Sequence, residues 1–497
     1  MTKRLMIVLT AGIILFAGRS YAVGAETDFK GSVVKIFAST STPDINKPWQ
    51  AQMRKRAIGT GAVIAGNRIL TSAHVVAYAT FIEVKKSDSD KRYHAQVEAI
   101  GNDCDLALLT VNDKTFFEGV PIMPIGPLPE LRDTVLVIGF PEGGDELSVT
   151  EGVVSRIDAV PYSHSEEAFM AVQIDAAINH GNSGGPVIQN NQLVGIAFQG
   201  LEKADNIGYM VPEPIIRHFL DDLKDGKYDG FPYVGFWWNE SANPSLRTHY
   251  GLTEYEGGLV VKYLLPDLEK EGLLRVGDVL LSVDGIPVGS DVTVPFRKNS
   301  RLPMGYLFDA KQVGDTIDFG ILRGDKKLNL KMPMRRNDDG VKYKNFYEKP
   351  PYYIYGGMVF TVLTKDLISM LEEQKMDASN LIYYVDGPGR FKTQKDVVVL
   401  LYALPDELNA GYHDTLLEVV KEANGKPVNS LADLALSIEG NQGEWNIIRT
   451  EDKAELIFDR KKAKEAEARI LANYKIASPY SDDVRRVLEE SLKSKES

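Results

Sequence analysis

The sequence has 497 residues, of which 44% are apolar and 25% charged, and its formal net charge is −12 at pH 7. A chain of this length is too long for one hydrophobic core, so we expect about three domains. The acidic balance argues against nucleic acid or an anionic membrane as the main partner. Cys104 is the single cysteine of the sequence, which excludes an intramolecular disulfide.

Residues 1–25 have the pattern of a secretory signal peptide. Two basic residues precede an apolar run over residues 5–17, and small residues follow, with cleavage expected after Ala22 or Ala25. The run is short for a membrane-spanning helix, although an uncleaved segment that anchors the protein stays open as the alternative. We therefore expect a periplasmic or secreted protein.

A histidine and an aspartate each stand at the end of a predicted strand. His74 closes an apolar run that begins at Ile69, at a small-residue turn that would present the imidazole to a cleft. Asp105 opens the apolar run that ends at Leu109. An imidazole can act as a general base, and a carboxylate can orient it. Alone, Asp105 could equally be a solvated charge. Surface or packing roles are expected for the other six histidines, His94, His164, His180, His218, His249 and His413.

The segment 181–186 has the composition of a turn around a nucleophilic serine. Glycines on both sides of Asn182 and Ser183 allow backbone angles that a side chain would forbid, so a substrate carbonyl can approach main-chain N–H groups. Taken alone, such a segment is more often a flexible loop than the turn of a nucleophile. The order of His74, Asp105 and Ser183 along the chain is that of chymotrypsin-type double barrels, not of subtilisins or α/β-hydrolases.

Five segments resemble motifs of the HtrA/Deg (Do-like) serine proteases, most closely the plant-type Deg branch with one PDZ domain and a divergent second one. The segments are 59–64, 70–76, 104–109, 173–187 and 206–212. The resemblance extends through nearly the whole chain after the N-terminal segment. It implies a serine endopeptidase that degrades unfolded or damaged proteins, as part of protein quality control in an exported compartment.

These assignments give each residue a role. His74 would take the hydroxyl proton of Ser183 as that oxygen attacks a peptide carbonyl, and Asp105 would orient the imidazole. The backbone N–H groups of Gly181 and Ser183 would form the oxyanion hole, with Asn182 acting through the conformation of its loop. This chemistry requires no metal and no cofactor.

The substrate pocket is predicted to exclude basic side chains. In trypsin-like folds the residue six positions before the nucleophile lies at the base of the primary pocket, and here that residue is Ala177. Without a buried carboxylate there, we expect cleavage after small or medium apolar residues. Ala197 and Phe198 complete the predicted pocket. The strand 194–199 is expected to pair with the substrate backbone, with an ordinary core strand as the alternative.

The predicted fold class is mainly β. Residues 28–224 are expected to form two antiparallel β-barrels with the three catalytic residues between them, followed by two small α+β PDZ-like domains. Residues 225–232 have the composition of a turn-rich linker.

The first PDZ domain is assigned to residues 228–336. Its expected peptide-binding loop, which resembles the carboxylate-binding loop of PDZ domains, consists of Tyr233, Val234, Gly235 and Phe236. Residues 274–285 resemble a second PDZ hallmark. Trp237 and Trp238 crowd the edge of the pocket, so that pocket could be filled internally.

A divergent PDZ-like domain is assigned to residues 350–480, followed by a C-terminal tail over 481–497. A weak repeat supports this assignment, because the pattern of 283–288 returns at 423–428, an offset of 140 residues. Residues 352–360 resemble the opening of the divergent PDZ domain in plant-type Deg proteases. This domain lacks a clear carboxylate loop, so we expect it to serve assembly. The charged run after Asp459 predicts a solvated helix.

The expected partners are unfolded or misfolded polypeptides, and peptide C-termini at the first PDZ domain. The resemblance further implies a homo-oligomer, a trimer or a multiple of trimers. Two other functions stay open: a catalytically silent or resting holdase that keeps the barrels and PDZ domains, and an exported PDZ adaptor without hydrolysis. The presence of His74, Asp105 and Ser183 together favours the protease.

Overall fold

The computed structural model describes residues 29–141, 144, 146–176, 178–179, 181–200, 207–253, 256–336, 341, 349–385 and 396–496. The predicted signal peptide, Ala177 and His180 lie outside the described residues.

The first barrel closes six antiparallel strands in the order β1-β2-β3-β6-β5-β4. Its elements are β1 (Val33–Thr40), β2 (Lys55–Ile64), β3 (Arg68–Thr71), α1 (Ala73–Val76), β4 (Ala79–Lys86), β5 (Arg92–Gly101) and β6 (Leu106–Val111). Small and branched apolar side chains such as Val34, Ile36 and Leu109 fill its interior and are fully buried. The glycines of β2 allow close approach, since a Cβ on Gly61 would lie 2.6 Å from Ile69.

The second barrel closes six strands in the order β10-β11-β12-β9-β8-β7. Its elements are β7 (Thr134–Gly139), β8 (Ser148–Pro161), β9 (Ala168–Ile174), β10 (Pro186–Gln189), β11 (Gln192–Gly200), β12 (Gly208–Pro212) and the helix α2 (Glu213–Asp222) that follows it. The two closed antiparallel barrels confirm the predicted chymotrypsin-like fold class.

Strand β11 is paired on both edges over part of its length. Gly195 and Ile196 have partners in β10 and also in β12. A substrate strand therefore cannot add along the whole of 194–199 as expected, because both edges are already used there. Its end, Gln199 and Gly200, pairs only with β12 and keeps one edge without a described strand.

A third unit surrounds a core that includes Phe236, Leu280 and Phe319. Its elements are β13 (Phe236–Glu240), α3 (Pro244–His249), β14 (Leu259–Leu264), α4 (Pro266–Glu271), β15 (Val279–Val283), β16 (Ile286–Pro287), β17 (Thr293–Pro295), β18 (Arg301–Pro303), α5 (Tyr306–Asp309), β19 (Thr316–Arg323) and β20 (Lys326–Pro333). The main sheet has the order β13-β14-β15-β19-β20, so β13 is an edge strand, and β17 pairs with β18 in a separate hairpin.

The third unit is docked onto the second barrel. The Arg297 guanidinium, between β17 and β18, donates to the carbonyls of Leu128 at 3.1 Å and Pro129 at 2.8 Å. Gln312 donates from Nε2 to the carbonyl of His218 at 3.2 Å. These bonds fix the third unit at two points against the protease barrel.

The linker 225–232 is also fastened. Asp222 Oδ2 accepts the backbone N–H groups of Asp229 and Gly230, both at 2.9 Å, and the hydroxyl of Tyr228 donates to the carboxylate of Asp103. The turn-rich composition therefore forms a packed connection here, not a free spacer.

A fourth unit is a seven-stranded antiparallel sheet with helices. Its elements are β21 (Tyr352–Tyr355), β22 (Met358–Val362), α6 (Lys365–Glu373), α7 (Ser379–Val385), β23 (Val398–Ala403), β24 (Glu418–Ala423), β25 (Lys426–Pro427), α8 (Leu431–Glu439), β26 (Trp445–Thr450), β27 (Glu455–Asp459), α9 (Arg460–Asn473) and α10 (Asp482–Glu496). Among the described residues, no helix is both long enough and apolar enough to cross a membrane.

Two predictions for the end of the chain need correction. Helix α9 begins where expected, with Asp459 accepting the N–H groups of the first turn, but Ala463 and Ile470 are buried, so one face is packed. The predicted tail 481–497 contains α10, in which Val484 is 2% exposed and lies in a core cluster with Leu434 of α8. Burial of that face makes α10 part of the packed unit.

The ion pair between Asp278 and Arg323 predicts that the stability of the third unit depends on the carboxylate of Asp278. Asp278 is 2% exposed. Its carboxylate accepts two hydrogen bonds from the Arg323 guanidinium, at 2.8 and 2.7 Å, and one from the backbone N–H of Arg275 at 2.8 Å. Asp278→Asn keeps the size but removes the charge, and should cost about 2 kcal/mol of unfolding free energy. Hydrogen exchange of β15 measures that loss. Asp267→Asn, which weakens the exposed pair with Lys270, is the control and should leave exchange unchanged. Equal exchange in both variants would contradict the assignment.

Candidate active site

The His74–Asp105 pair lies at the edge of the first barrel. Strand β3 ends at Thr71 and His74 follows on the single turn α1, while Asp105 directly precedes β6. The His74 ring donates from Nδ1 to Asp105 Oδ2 at 2.7 Å, and the His74 backbone N–H donates to Oδ1 at 2.8 Å. Asp105 is fully buried and adopts a φ of 53°, an uncommon backbone conformation for a residue other than glycine. One carboxylate therefore fixes both the position and the tautomer of His74.

Burial and charge oppose each other in this pair. Burial alone would lower the pKa of His74, but the charge of Asp105 and the hydrogen bond to it outweigh burial, and the pKa is raised. Burial would likewise raise the pKa of Asp105, but the charge and hydrogen bonds of His74 hold it below its usual value. The His74 side chain keeps 31% of its surface exposed, so a base held by a buried anion faces the solvent.

Ser183 lies in a turn between the two barrels. Gly181 and Gly184 flank it with φ values of 95° and 81°, which side chains rarely adopt. Gly184 N–H donates to the carbonyl of Ala197 at 2.7 Å, which fastens the turn to the second barrel. The carbonyl of Ser183 accepts the N–H of Thr60 at 2.9 Å, which fastens it to the first. The turn thus joins the barrels beside the strand that leads to His74.

The space around this turn requires glycine. A Cβ on Gly184 would lie 2.1 Å from Thr71 Oγ1 and 2.3 Å from the carbonyl of Thr60. A Cβ on Gly139, at the end of β7, would lie 2.8 Å from the side-chain oxygen of Asn182. Both glycines therefore permit close backbone approach at the seam, by which we mean the contact between the two barrels around Thr60 and Ser183.

The polar groups of the turn are unequally satisfied. Within the described part of the chain, no acceptor is bonded to the N–H of Gly181 or of Ser183, the two predicted oxyanion donors. The Ser183 hydroxyl likewise has no hydrogen bond to His74 among the described contacts. Asn182 is 4% exposed, and its Oδ1 has no partner there. Two backbone donors are thus available beside the hydroxyl.

Two residues of the predicted substrate pocket are buried in the structure. Ala197 and Phe198 are 0% and 2% exposed, and the Phe198 ring packs 4.5 Å from that of Tyr162. Ala197 and Phe198 are core residues of β11, so their side chains do not line an open pocket in this structure. Ala177 lies outside the described residues.

The predicted carboxylate loop leads into the edge strand β13. Its residues are Tyr233, Val234, Gly235 and Phe236. Tyr233 N–H donates to Arg335, and the Gly235 carbonyl accepts from Leu265 at 2.8 Å, so two of the backbone groups are already bonded. Phe236 is buried in the core. Gly235 has a φ of 68°, as a tight loop requires.

Sequence reasoning missed the hydroxyls that hold the turn. Thr71 Oγ1 donates to the carbonyl of Thr60 at 2.6 Å, and Thr60 Oγ1 donates to the carbonyl of Gly181 at 2.7 Å. The signal was the Thr60 hydroxyl between two glycines of a strand, a polar group that needs a partner when buried. Among the described residues, no group of three or more histidine, cysteine or acidic side chains is placed to hold a metal ion.

Comparison with known proteins agrees with the fold. A family model described as a trypsin-like peptidase domain matches residues 59–196, and one described as a PDZ domain matches residues 341–483. The second match falls on the region predicted to be the divergent PDZ domain. The two closed barrels and the two family matches together define the class of protein, a trypsin-like serine endopeptidase that carries a PDZ domain.

Its relatives give the family. "Protease Do-like 2, chloroplastic" of Arabidopsis thaliana is 35% identical over 92% of this chain and 76% of its own length. "Protease Do-like 4, mitochondrial" of the same plant is 34% identical over 90% of this chain and 84% of its own. The chain belongs to the Do-like (Deg/HtrA) family of serine proteases, as the sequence motifs indicate. The solved structure "HtrA-type protease AlgW with tripeptide" is 24% identical, covers 62% of this chain and 94% of its own, and aligns with a TM-score of 0.48.

The opposing effects at His74 predict how it titrates. In a Ser183→Ala background, NMR should find the His74 pKa above the usual value of about 6.5, so the imidazolium persists to higher pH. Asp105→Asn removes the charge but keeps the burial, so the pKa should fall below that of the parent. Asp113→Asn, at an exposed carboxylate of the same barrel, is the control and should leave the His74 titration unchanged. An unchanged titration in Asp105→Asn would refute the electrostatic account.

Proposed function

We propose that the protein degrades unfolded or damaged polypeptides by a Ser-His-Asp mechanism with a covalent acyl-enzyme. The observation that carries this proposal is the seam between the barrels. The Asp105–His74 pair belongs to the first barrel and the turn of Ser183 to the second, and the N–H of Thr60 in β2 of the first barrel donates to the carbonyl of Ser183. Each part of the seam has a chemical use.

In the acylation step, the side chains of Ser183, His74 and Asp105 act as nucleophile, base and stabilising anion. Neutral His74 takes the proton of the Ser183 hydroxyl as the oxygen attacks the peptide carbonyl, and then gives it to the leaving amine. Asp105 stabilises the imidazolium that forms, which agrees with the raised pKa of His74. Water then enters, His74 again acts as the base, and the acyl-enzyme is hydrolysed.

The developing oxyanion needs donors that are not otherwise bonded. The N–H groups of Gly181 and Ser183 meet this condition in the described part of the chain. Each such donor contributes on the order of 3 kcal/mol to transition-state stabilisation in comparable sites. Asn182 acts through the backbone of the turn.

Substrate, compartment and assembly belong to the same proposal. Residues that are apolar and small are hidden in folded proteins and exposed in unfolded ones, so a pocket based on Ala177 would select damaged chains. The N-terminal pattern supports export to a periplasm or an equivalent space, whereas the Arabidopsis relatives are named as chloroplastic or mitochondrial. The edge strand β13 supports capture of peptide C-termini by the unit over 228–336. Family membership supports assembly into trimers or their multiples.

One observation favours a second candidate, a resting holdase. Ser183 and His74 share no hydrogen bond among the described contacts, a geometry that a resting enzyme would also have. Apo enzymes often show long catalytic contacts that tighten on substrate binding, so this observation does not outweigh the assembled seam.

The decisive experiment compares wild type with Ser183→Ala. Wild type should degrade a permanently unfolded protein and should react with a serine-directed phosphonate at Ser183, and Ser183→Ala should do neither. If wild type is inert and unlabelled across temperatures and added peptides, yet both proteins suppress aggregation equally, the holdase is the correct function.

The pocket proposal predicts a preference that one substitution can alter. With peptides that differ only in the residue before the scissile bond, kcat/KM should be at least about tenfold higher for Ala, Val or Leu than for Lys. Ala177→Asp should raise the relative rate after Lys, because a carboxylate would pair with the ammonium. Asp113→Asn serves as a remote charge control. A wild-type preference for Lys would refute the pocket assignment.

A further inference from the structure

Thr60, in the middle of β2, uses every polar group that it has at the seam. Its N–H donates to Ser183 O at 2.9 Å, and its carbonyl accepts the hydroxyl of Thr71 at 2.6 Å. Its own hydroxyl donates to Gly181 O at 2.7 Å and accepts the N–H of Phe140 at 3.0 Å. Thr60 is fully buried, so these four bonds are shielded from water.

Two of these bonds bracket the peptide that carries an oxyanion donor. Gly181 O and Ser183 O belong to the peptide units before and after the unit that bears the Ser183 N–H. Thr60 holds both outer units, and the middle one has little freedom to rotate between them. Gly181, at a φ of 95°, has no side chain to restrict its rotation. The hydroxyl of Thr60 supplies that restriction from outside the turn.

The same hydroxyl connects the turn to the segment after β7. Phe140 donates its N–H to Thr60 Oγ1, and a few residues later Gly144 O accepts the buried ammonium of Lys35 at 2.7 Å. Lys35 is 4% exposed and is the register partner of Thr60 in the β1–β2 pair. Two neighbouring residues of the first barrel therefore hold a loop of the second barrel and the turn of Ser183.

We propose that Thr60 is a positioning residue for catalysis, whose hydroxyl bridges Phe140 and Gly181 and helps to hold the Ser183 N–H, one of the two proposed oxyanion donors, in a fixed orientation. This inference rests on the proposed protease function, but it concerns a residue that touches no reacting atom. A valine there would preserve the shape of the strand and leave the Gly181 carbonyl without its donor and the Phe140 N–H without its acceptor. A serine would keep both bonds.

The test compares Thr60→Val with Thr60→Ser in the full chain. On a peptide substrate, Thr60→Val should lower kcat about 10- to 100-fold with KM within about twofold, because the lost stabilisation belongs to the transition state. Thr60→Ser should retain kcat within about threefold. The matched control is Thr361→Val, since Thr361 is 3% exposed and donates its hydroxyl to the carbonyl of Pro351 at 2.8 Å in the fourth unit. It should leave both constants unchanged.

A second readout does not depend on hydrolysis. Hydrogen exchange of the amides at 182–185 should rise about tenfold or more in Thr60→Val, and should stay at the parent rate in Thr60→Ser and Thr361→Val. If Thr60→Val does not fold, Thr60→Ala replaces it, and the same contrast with Thr60→Ser is required.

Several outcomes would overturn the role of Thr60. They are unchanged kcat and exchange in Thr60→Val, a rise in KM alone, or an equal loss in Thr60→Ser, which would assign the effect to packing of the methyl group. An inert wild type with the expected exchange pattern would refute the proposed protease function and leave the positioning of the turn by Thr60 supported.

Discussion

The site depends on the hydrogen bond between the Thr60 N–H and the Ser183 carbonyl, which joins one barrel to the other at 2.9 Å. His74 and Asp105 belong to the first barrel and Ser183 to the second, so neither barrel alone contains the site. The approach is close because glycine stands at 184, where a Cβ would meet Thr71 Oγ1 at 2.1 Å. The geometry of the candidate site is therefore a consequence of how two separately closed sheets pack.

At the seam, the carboxylate of Asp105 is buried beside the imidazole of His74. The pKa of Asp105 stays low against the effect of burial, since His74 supplies charge and hydrogen bonds. Burial, together with the nearby Asp103, raises the pKa of the adjacent Cys104 well above its usual value, so that thiol remains neutral. The buried Cys104 accordingly acts as a small apolar residue there.

Local sequence predicted what depends on local sequence. The turn at Ser183, the apolar runs beside His74 and Asp105 and the start of α9 each have a signal within a few residues. In the structure α9 begins after Asp459, and His74 and Asp105 share a hydrogen bond, although His74 lies on α1 and not at the end of β3. Burial of Ala197 and Phe198, the packing of α10 and the contacts of Thr60 depend on residues far away in sequence. The Thr60–Gly181 bond joins positions 121 residues apart, and no periodicity or motif within β2 reports that partner.

Hydrogen bonds of the linker connect the third unit to the residues around Asp105. Asp103 accepts the Tyr228 hydroxyl from the linker, and its carbonyl accepts Ser165 Oγ at 2.7 Å from the second barrel. Asp103 stands two residues before Asp105, in the same short connection between β5 and β6. Any displacement of the third unit that pulls on Tyr228 therefore acts on the backbone next to Asp105, whereas Thr60, also in the first barrel, is bonded to the turn of Ser183. The two supports are joined, because the carbonyl of Thr60 accepts the hydroxyl of Thr71, at the end of the strand that leads to His74.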